Sequence, residues 1–257
     1  SPNTSVVDPK EVVRKLEIDL RNKGVKFLLD EKIDLIKKNK NSIICSRKIN
    51  YGFFFNCAGL FADEIAKKFG INSNVALLPF KGSYWKLSKR SPFTFKTNLY
   101  PVPDLSQPFL GIHVTPSLDG NVYLGPSAIP ALGRENYLGF EKTEIMRSIV
   151  FLNILAKQFF LNKGGFRKYS QEQALHGLKL VFANSARKLI PGLKLEHLER
   201  SNKVGIRPQL FDKNKLKLVD DFKIEKTKNS LHVLNAISPA FTASFELADL
   251  LISNSNL

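Results

Sequence analysis

One stretch, FFFNCAGLFADEIAKKFG at residues 53–70, constrains the fold more than any other. Its opening apolar run does not alternate with polar residues, which is typical of a strand covered on both faces, as in a parallel sheet. Residues 62–69 are amphipathic and predict a short helix that ends at Gly70. The residues between them, Asn56-Cys57-Ala58-Gly59, are small. Either the strand and helix pack closely there, or an anion such as a phosphate binds at the helix entrance.

The bulk composition narrows the possible functions. The chain has 257 residues and a formal charge of +16, but its basic residues are 29 Lys and 10 Arg, scattered along the sequence. Nucleic-acid readers favour arginine forks, so we expect no nucleic-acid partner. The two cysteines form no CxxC and the four histidines form no HExxH, so we expect neither a disulfide scaffold nor a metal.

The pattern along the chain predicts a mixed α/β (α+β) fold in the order α/β piece, antiparallel insert with helices, α/β return. Asp8-Pro9 begins a helix, Gly24 ends it, and VKFLL at 25–29 is expected to form a strand. The Asp119-Gly120 pair predicts a hairpin in an aromatic, antiparallel region. Helices are expected at 141–161, at 171–188 and from about Ser238-Pro239, and strands at 216–226 and 230–237.

Several side chains are candidates for chemistry. The second thin helix entrance, SPAFTAS, has a Ser cap, a Pro at the first position and small residues after it, so it could approach a ligand ring or could simply be well capped. Arg207, between Gly and Pro, could hold a carboxylate or form a surface ion pair. His113 on a strand could accept a proton or only be hydrogen-bonded. Tyr84 and Tyr100 could line a substrate pocket or fill a core.

Together these segments resemble a known family. The stretch NLYPVPDLSQPFLGIHVTPSLDGNVYLGPSAIPALGRENY (98–137) is similar to the substrate-domain signature of FAD-dependent L-2-hydroxyglutarate dehydrogenases/oxidases. These belong to the D-amino-acid-oxidase-like, or glycine-oxidase-like, superfamily. The resemblance continues through FFFNCAGLFADEIA, PFKGSYWKL, GIRPQLFDKNKLKLVDDF and HVLNAISPAFTAS, and so covers nearly the whole chain.

The resemblance implies a split Rossmann-like FAD-binding domain at 1–76 and 205–257, with an inserted antiparallel substrate domain at 77–204. It implies oxidation of L-2-hydroxyglutarate to 2-oxoglutarate by hydride transfer to FAD N5, with electrons passing to a membrane quinone or oxygen. The residues that would contact FAD are Ile33, Cys57, Ala58, Gly59, Ser238, Pro239, Ala240 and Thr242. The substrate side would comprise His113 as base, Arg207 as carboxylate clamp, and Tyr84, Tyr100 and Lys81 in the pocket.

The chain also departs from the family pattern. Lys81 stands where an Arg is expected in PFRG, and Pro208 and Phe241 stand where smaller residues are usual. No GxGxxG occurs, so we expect a sequence truncated at its N-terminus that binds FAD weakly alone. Two alternatives remain: an amine or amino-acid oxidase of the same superfamily, and a non-catalytic basic binding protein. The expected location is cytoplasmic, with peripheral contact at the inner membrane face left open.

Overall fold

The computed structural model describes residues 5–33, 35–37, 41–102, 111–162, 165–237, 239 and 241–255, and confirms a mixed α/β fold. The helices are α1 (Pro9–Asn22), α2 (Ala62–Lys68), α3 (Ile145–Leu161), α4 (Phe166–Leu175), α5 (Lys179–Ala186) and α6 (Ser244–Ser255). The strands are β1 (Leu35–Lys37), β2 (Ser42–Ile44), β3 (Lys48–Asn50), β4 (Phe54–Asn56), β5 (Val75–Leu87), β6 (His113–Pro116), β7 (Val122–Gly125), β8 (Ile129–Pro130), β9 (Leu198–Asp212), β10 (Lys217–Leu218), β11 (Lys223–Thr227) and β12 (Ser230–Asn235). Within these ranges, no helix is both long enough and apolar enough to cross a bilayer.

A large antiparallel sheet carries most of the fold. Its strand order is β10-β9-β5-β7-β6, and β8 pairs with β5 beside β7. The central pair, β5 and β9, runs from Val75 opposite Asp212 to Leu87 opposite Leu198. The predicted hairpin is confirmed between β6 and β7, where the Asp119 carboxylate accepts a hydrogen bond from the Asn121 backbone N–H at 2.9 Å.

The two faces of this sheet are covered differently. Near β6 and β7, one face packs on α5 through Trp85, Val114 and Phe182. At the other end of β5 the opposite face packs on α3, where the Phe80 and Phe151 ring centroids lie 5.4 Å apart, edge to face. Because α3 covers only that end, no helix of the described part of the chain covers the middle of the second face.

A smaller sheet has the order β11-β12-β4, and β4 runs parallel to β12, as the apolar run at 53–55 predicted. Every residue of β12 is buried. Helix α2 packs between this sheet and the large one, with Ala62 and Ala66 against Leu210 and Leu234. Helix α6 covers other β12 residues, with Leu251 in the same cluster as Leu231 and Val233. The two sheets therefore share α2 as a common layer.

A buried polar node fixes the junction of β4 and β12. The Asn56 amide donates to the Ala62 carbonyl at 2.8 Å and to His232 Nδ1 at 3.0 Å, and its oxygen accepts from the Ala58 backbone N–H at 3.3 Å. His232 Nε2 then lies 2.8 Å from the Ser230 hydroxyl, to which it donates. Since every polar atom of Asn56 is used, this residue sets the path of the chain from the strand into α2.

Some predicted elements differ from the structure. The segment 25–29 is not a strand, and Val25, Leu28 and Leu29 are exposed, because no described strand lies alongside to pair with them. The expected helix at 171–188 is two helices, α4 and α5, interrupted at Gly177. The strand predicted at 216–226 is divided into β10 and β11, which belong to different sheets.

Two helix starts also differ. The helix predicted from residue 141 begins at Ile145, and the last helix begins at Ser244 rather than near Pro239. The stretch before it is a turn in which the Ala243 backbone N–H donates to the Pro239 carbonyl at 3.0 Å. The predicted domain boundaries at 76/77 and 204/205 fall inside β5 and β9, so the division into domains stays a prediction.

The node at His232 predicts a pH-dependent stability. Burial lowers the pKa of His232 from 6.5 to about 4, with Glu225 opposing in part. An unfolded histidine takes up a proton near pH 6.5, whereas the folded one does so only near pH 4, so folding should weaken as the pH falls through this window. The loss attributable to His232 should be roughly 3 kcal/mol. Denaturant unfolding of wild type and His232→Gln from pH 7.5 to 4 measures it. If the free energy of unfolding falls equally steeply with falling pH in both proteins, His232 is not the group responsible.

Candidate active site

The uncovered middle of the large sheet brings together most of the predicted substrate residues. Arg207 on β9 lies opposite Phe80 on β5, so its side chain is on the same sheet face as Phe80 and, by strand alternation, as Tyr84. Arg207 is exposed and Tyr84 is half-buried. Arg207 also lowers the pKa of Tyr84 electrostatically, against the larger effect of burial.

His113 joins this face from β6. It pairs with Gly125 of β7, whose backbone has φ +144 and at which an added Cβ would lie 2.9 Å from Tyr84 Cδ1. Only a glycine there lets the Tyr84 ring approach β7 and β6 so closely. On the far side of His113, the Tyr100 ring centroid lies 4.9 Å away. The structure therefore assembles Arg207, Tyr84, His113 and Tyr100 from four chain segments.

The electrostatics of this face favour a neutral imidazole and a protonated phenol. Burial lowers the pKa of His113, a hydrogen bond to the Gly111 backbone raises it in part, and Arg207 lowers it further. His113 Nδ1 is buried and has no hydrogen-bond partner among the described residues. Burial raises the pKa of Tyr84, against the opposing effect of Arg207. At neutral pH the face thus carries a neutral, half-buried imidazole and one hydroxyl donor.

Lys81 is not part of this group. It pairs with Ile206, next to Arg207 on β9, so the two cationic side chains leave the sheet on opposite faces. Burial lowers the pKa of Lys81, and its ammonium donates to the Asn136 side-chain oxygen at 3.3 Å. The structure therefore gives Lys81 a contact with the loop after β8 rather than one with Tyr84 or His113.

Two candidate cofactor turns follow neighbouring parallel strands. Cys57 and Gly59 are exposed directly after β4, and Gly59 has φ +52 with nothing within 4 Å of an added Cβ. After β12, Pro239 and Thr242 are exposed, and the Thr242 hydroxyl donates to the Pro239 carbonyl at 2.9 Å. Because parallel strands end at the same sheet edge, both turns emerge on one side of the small sheet.

The other residues predicted to contact the cofactor lie in different places. Ala58 is half-buried and held by its backbone bond to Asn56. The carbonyl of Ile33 accepts from Lys68 Nζ at 3.0 Å, so it lies near the end of α2 that is remote from Gly59. Ser238 and Ala240 lie outside the described residues. Residues 57–59 and residues 239 and 242 thus follow neighbouring strands, whereas Ile33 lies near the other end of α2.

A buried ion pair that the sequence did not suggest ties the large sheet to the first turn. The Arg134 guanidinium contacts Asp63 at 2.6 Å, with both side chains almost fully buried, and also donates to the Leu60 carbonyl. Glu64 lies 3.2 Å from Arg134 Nε. Because 71 residues separate Arg134 from Asp63, no local pattern marks the pair. It links the loop after β8 to the residues that follow Gly59.

Lys203 is a second residue that sequence reasoning missed. Its ammonium lies 4.4 Å from the ring centroid of Tyr123 and 5.4 Å from that of Tyr84. Lys203 and Arg207 are four residues apart on β9, and because side chains alternate along a strand, both lie on the same face. In the sequence, Lys203 is marked only by its position four residues before Arg207. That spacing places the two residues on one face only if the segment is a strand.

Comparison with known proteins agrees with this architecture. Residues 1–253 match the DAO family, described as FAD dependent oxidoreductases. The chain is 34% identical over 256 residues to the L-2-hydroxyglutarate dehydrogenase of Indibacter alkaliphilus, covering 96% of this chain and 62% of that protein. It is 31% identical to the mitochondrial L-2-hydroxyglutarate dehydrogenase of Mus musculus, covering 96% of this chain and 57% of that protein. The chain thus spans about 60% of the length of these curated relatives.

A solved structure shares the fold. The L-alpha-glycerophosphate oxidase of Mycoplasma pneumoniae, dithionite-reduced and with FAD bound, superposes with a TM-score of 0.63 at 16% identity. The similarity covers 94% of this chain and 54% of that one. At this level of identity the similarity extends to the fold alone.

The buried pair predicts a large coupling energy. Arg134→Met should destabilise folding by about 3–5 kcal/mol because it leaves the buried Asp63 with only the exposed Lys67 at 3.9 Å in the described part of the chain, whereas the double change Arg134→Met with Asp63→Leu should cost much less. Denaturant unfolding of the wild type, the two single variants and the double variant gives the coupling energy of the pair by a double-mutant cycle. The exposed pair Arg14 and Glu11 is the control, and its coupling should stay below about 1 kcal/mol. Equal couplings for the two pairs would overturn this interpretation.

Proposed function

The chain belongs to the DAO family of FAD dependent oxidoreductases, and from this premise we propose that it oxidises L-2-hydroxyglutarate to 2-oxoglutarate with FAD as hydride acceptor. The observation that carries the proposal is the grouping of Arg207, Tyr84, His113 and Tyr100 on one open sheet face. A carboxylate clamp, a hydroxyl donor and a neutral imidazole are the groups that oxidation of a 2-hydroxy acid requires. The names of the two curated relatives support the choice of substrate.

Arg207 and Tyr84 would bind the carboxylate next to the reacting carbon. A guanidinium offers paired N–H donors that match both oxygens of a carboxylate, so it fixes the orientation as well as the position. Tyr84 would add a third hydrogen bond, because its raised pKa keeps the phenol protonated. This grip would hold the C2 hydroxyl at a defined place above the sheet face.

His113 would take the proton of that hydroxyl. Burial lowers its pKa, so the imidazole is neutral at physiological pH and able to accept a proton. The Tyr100 ring, whose centroid lies 4.9 Å away at an interplanar angle of 39°, would limit the rotation of the imidazole. FAD, when bound, supplies a hydride acceptor at its N5 atom.

The residues of the strand-end turns fit the edge of a dinucleotide. Gly59 leaves open space above a backbone that a side chain would strain, and Cys57 presents a small exposed side chain beside it. We propose that residues 57–59 and the turn at 238–242 would contact FAD from the two neighbouring strand ends. Ile33 fits this role less well, because its carbonyl is engaged by Lys68.

We propose a membrane quinone or oxygen as the final electron acceptor. The charge of +16 supports attraction to an anionic membrane surface, where a quinone would be available. Comparing reoxidation by a soluble quinone and by oxygen, with and without anionic vesicles, tests this part of the proposal. Reoxidation that is equally fast without quinone or vesicles would favour oxygen.

The reaction itself is tested on the protein expressed from its complete coding sequence and loaded with FAD. We expect turnover of L-2-hydroxyglutarate, with 2-oxoglutarate as product, and no comparable turnover of glycine, sarcosine or proline. Preferential oxidation of one of these amines would instead support an amine or amino-acid oxidase. Absence of flavin reduction by any of them would refute the proposal.

The role of His113 predicts a specific loss. His113→Ala should lower the rate of flavin reduction by roughly 10²–10⁴-fold, since general base catalysis contributes about this much. In the wild type kcat/KM should fall as the pH falls through the lowered pKa of His113, below 6.5, because the protonated ring cannot accept. Stopped-flow flavin reduction between pH 4.5 and 8 measures both. His176→Ala, which changes a histidine outside this face, is the control.

Arg207 should act mainly on binding. Arg207→Met should raise KM for the substrate by at least roughly tenfold, because the carboxylate loses its charged partner, and Arg207→Lys should restore only part of it. Arg200→Met is the matched control, since Arg200 pairs with Trp85 and lies on the opposite face of β9. Steady-state kinetics compare the three variants. A similar KM for Arg207→Met and Arg200→Met would remove Arg207 from the site.

A further inference from the structure

Lys203 holds its ammonium over the open face, above two tyrosine rings. Its ammonium lies 4.4 Å above the ring centroid of Tyr123, within the range of a cation–π contact, and reaches the Tyr84 ring at 5.4 Å. No ion pair of Lys203 with a described Asp or Glu is present, whereas Lys86 on the same face pairs with Glu199 at 3.6 Å. The Lys203 ammonium therefore keeps N–H donors for a ligand.

The ring beneath Lys203 is itself held in place. The Tyr123 hydroxyl donates to the Asp119 carboxylate at 2.7 Å, and the Tyr84 and Tyr123 ring centroids lie 6.5 Å apart, nearly perpendicular. A tyrosine that donates to a carboxylate presents a more electron-rich ring to a cation. The aromatic pair thus positions the ammonium at low entropic cost, as a binding residue requires.

The spacing of Lys203 and Arg207 suits a ligand with two acidic ends. The two residues are four apart on β9, which corresponds to about 13 Å between their Cα atoms. Between them lies Gly205, at which an added Cβ would meet nothing within 4 Å, so the floor between the cations is open. Two long side chains that lean toward each other over Gly205 can bring their charges to the separation of the carboxylates in a glutarate-length acid.

We propose that Lys203 binds the distal carboxylate of the substrate and selects dicarboxylates over monocarboxylates, while Arg207 holds the carboxylate next to the reacting carbon. This assignment rests on the proposed function for its substrate. It assigns Tyr84, whose ring centroid lies 5.4 Å from the Lys203 ammonium, a position between the two anionic ends. Lys203 is thus a specificity-determining residue rather than part of the proton or hydride transfer.

The test compares L-2-hydroxyglutarate with L-2-hydroxyvalerate, in which a methyl group replaces the distal carboxylate. In the FAD-loaded protein from the complete coding sequence, Lys203→Met should lower kcat/KM for the dicarboxylate by roughly 10- to 100-fold, mainly through KM. It should leave kcat/KM for the monocarboxylate within about twofold. Lys203→Arg should retain most of the preference, and Lys86→Met, which removes the same charge from the same face, should retain all of it.

Binding of glutarate and valerate, followed by titration calorimetry, separates this inference from the proposed reaction. Weaker glutarate binding in Lys203→Met, with unchanged valerate binding, supports the assignment even if the wild type oxidises neither hydroxy acid. In that case the proposed reaction fails and the second anion site stands. If the wild type oxidises L-2-hydroxyglutarate and Lys203→Met keeps its preference over L-2-hydroxyvalerate, the reaction stands and the assignment of Lys203 is overturned. Equal losses for both acids also overturn it.

Discussion

The antiparallel pairing of β5 with β9 is the constraint on which the rest of the structure depends. The pair spans Val75–Leu87 and Leu198–Asp212, and three of the four apolar clusters include residues from one strand or both. Because side chains alternate between faces, a slip of one residue would move Arg207 to the side that carries Leu210 and expose the core residues. The apolar packing that fixes the register therefore also fixes which side chains share the face of Arg207, Tyr84 and His113. Under the proposed function, stability and activity would depend on one set of strand contacts.

A second constraint joins the small sheet to the large one. Asn56 uses its whole amide to hold β4, the start of α2 and His232 together, and α2 then packs against Leu210 of β9. The pair formed by Arg134 and Asp63 adds a buried bridge at the same helix. The turn at 57–59 is thus connected rigidly to the sheet that carries His113 and Arg207. For an enzyme that passes a hydride between two bound molecules, such a connection would keep donor and acceptor in register.

How far the sequence predicts this structure depends on how local the deciding contacts are. The unbroken apolar run at 53–55 correctly predicted a strand in parallel pairing, and Asp119-Gly120 correctly predicted a hairpin, because each pattern reports a local requirement. The segment 25–29 has strand composition but no described partner strand, and pairing is decided elsewhere in the chain. Lys81 was expected in the pocket by resemblance, yet strand parity turns it away from Arg207. The contacts of Arg134 with Asp63 and of Lys203 with Tyr84 and Tyr123 join residues distant in sequence, so no local pattern predicts them.

The charges on the open face are coupled in a way that suits catalysis. In the protein without substrate, burial and, to a smaller extent, the positive field of Arg207 lower the pKa of His113, so the imidazole stays neutral but is a weak base. A carboxylate bound to Arg207 would cancel much of that positive field, because the paired charges nearly neutralise each other at the distance of His113. The basicity of His113 would then rise only when substrate is in place. With the proposed roles, the residue that binds the acid therefore also controls the residue that takes its proton, and no movement of the backbone is needed for this control.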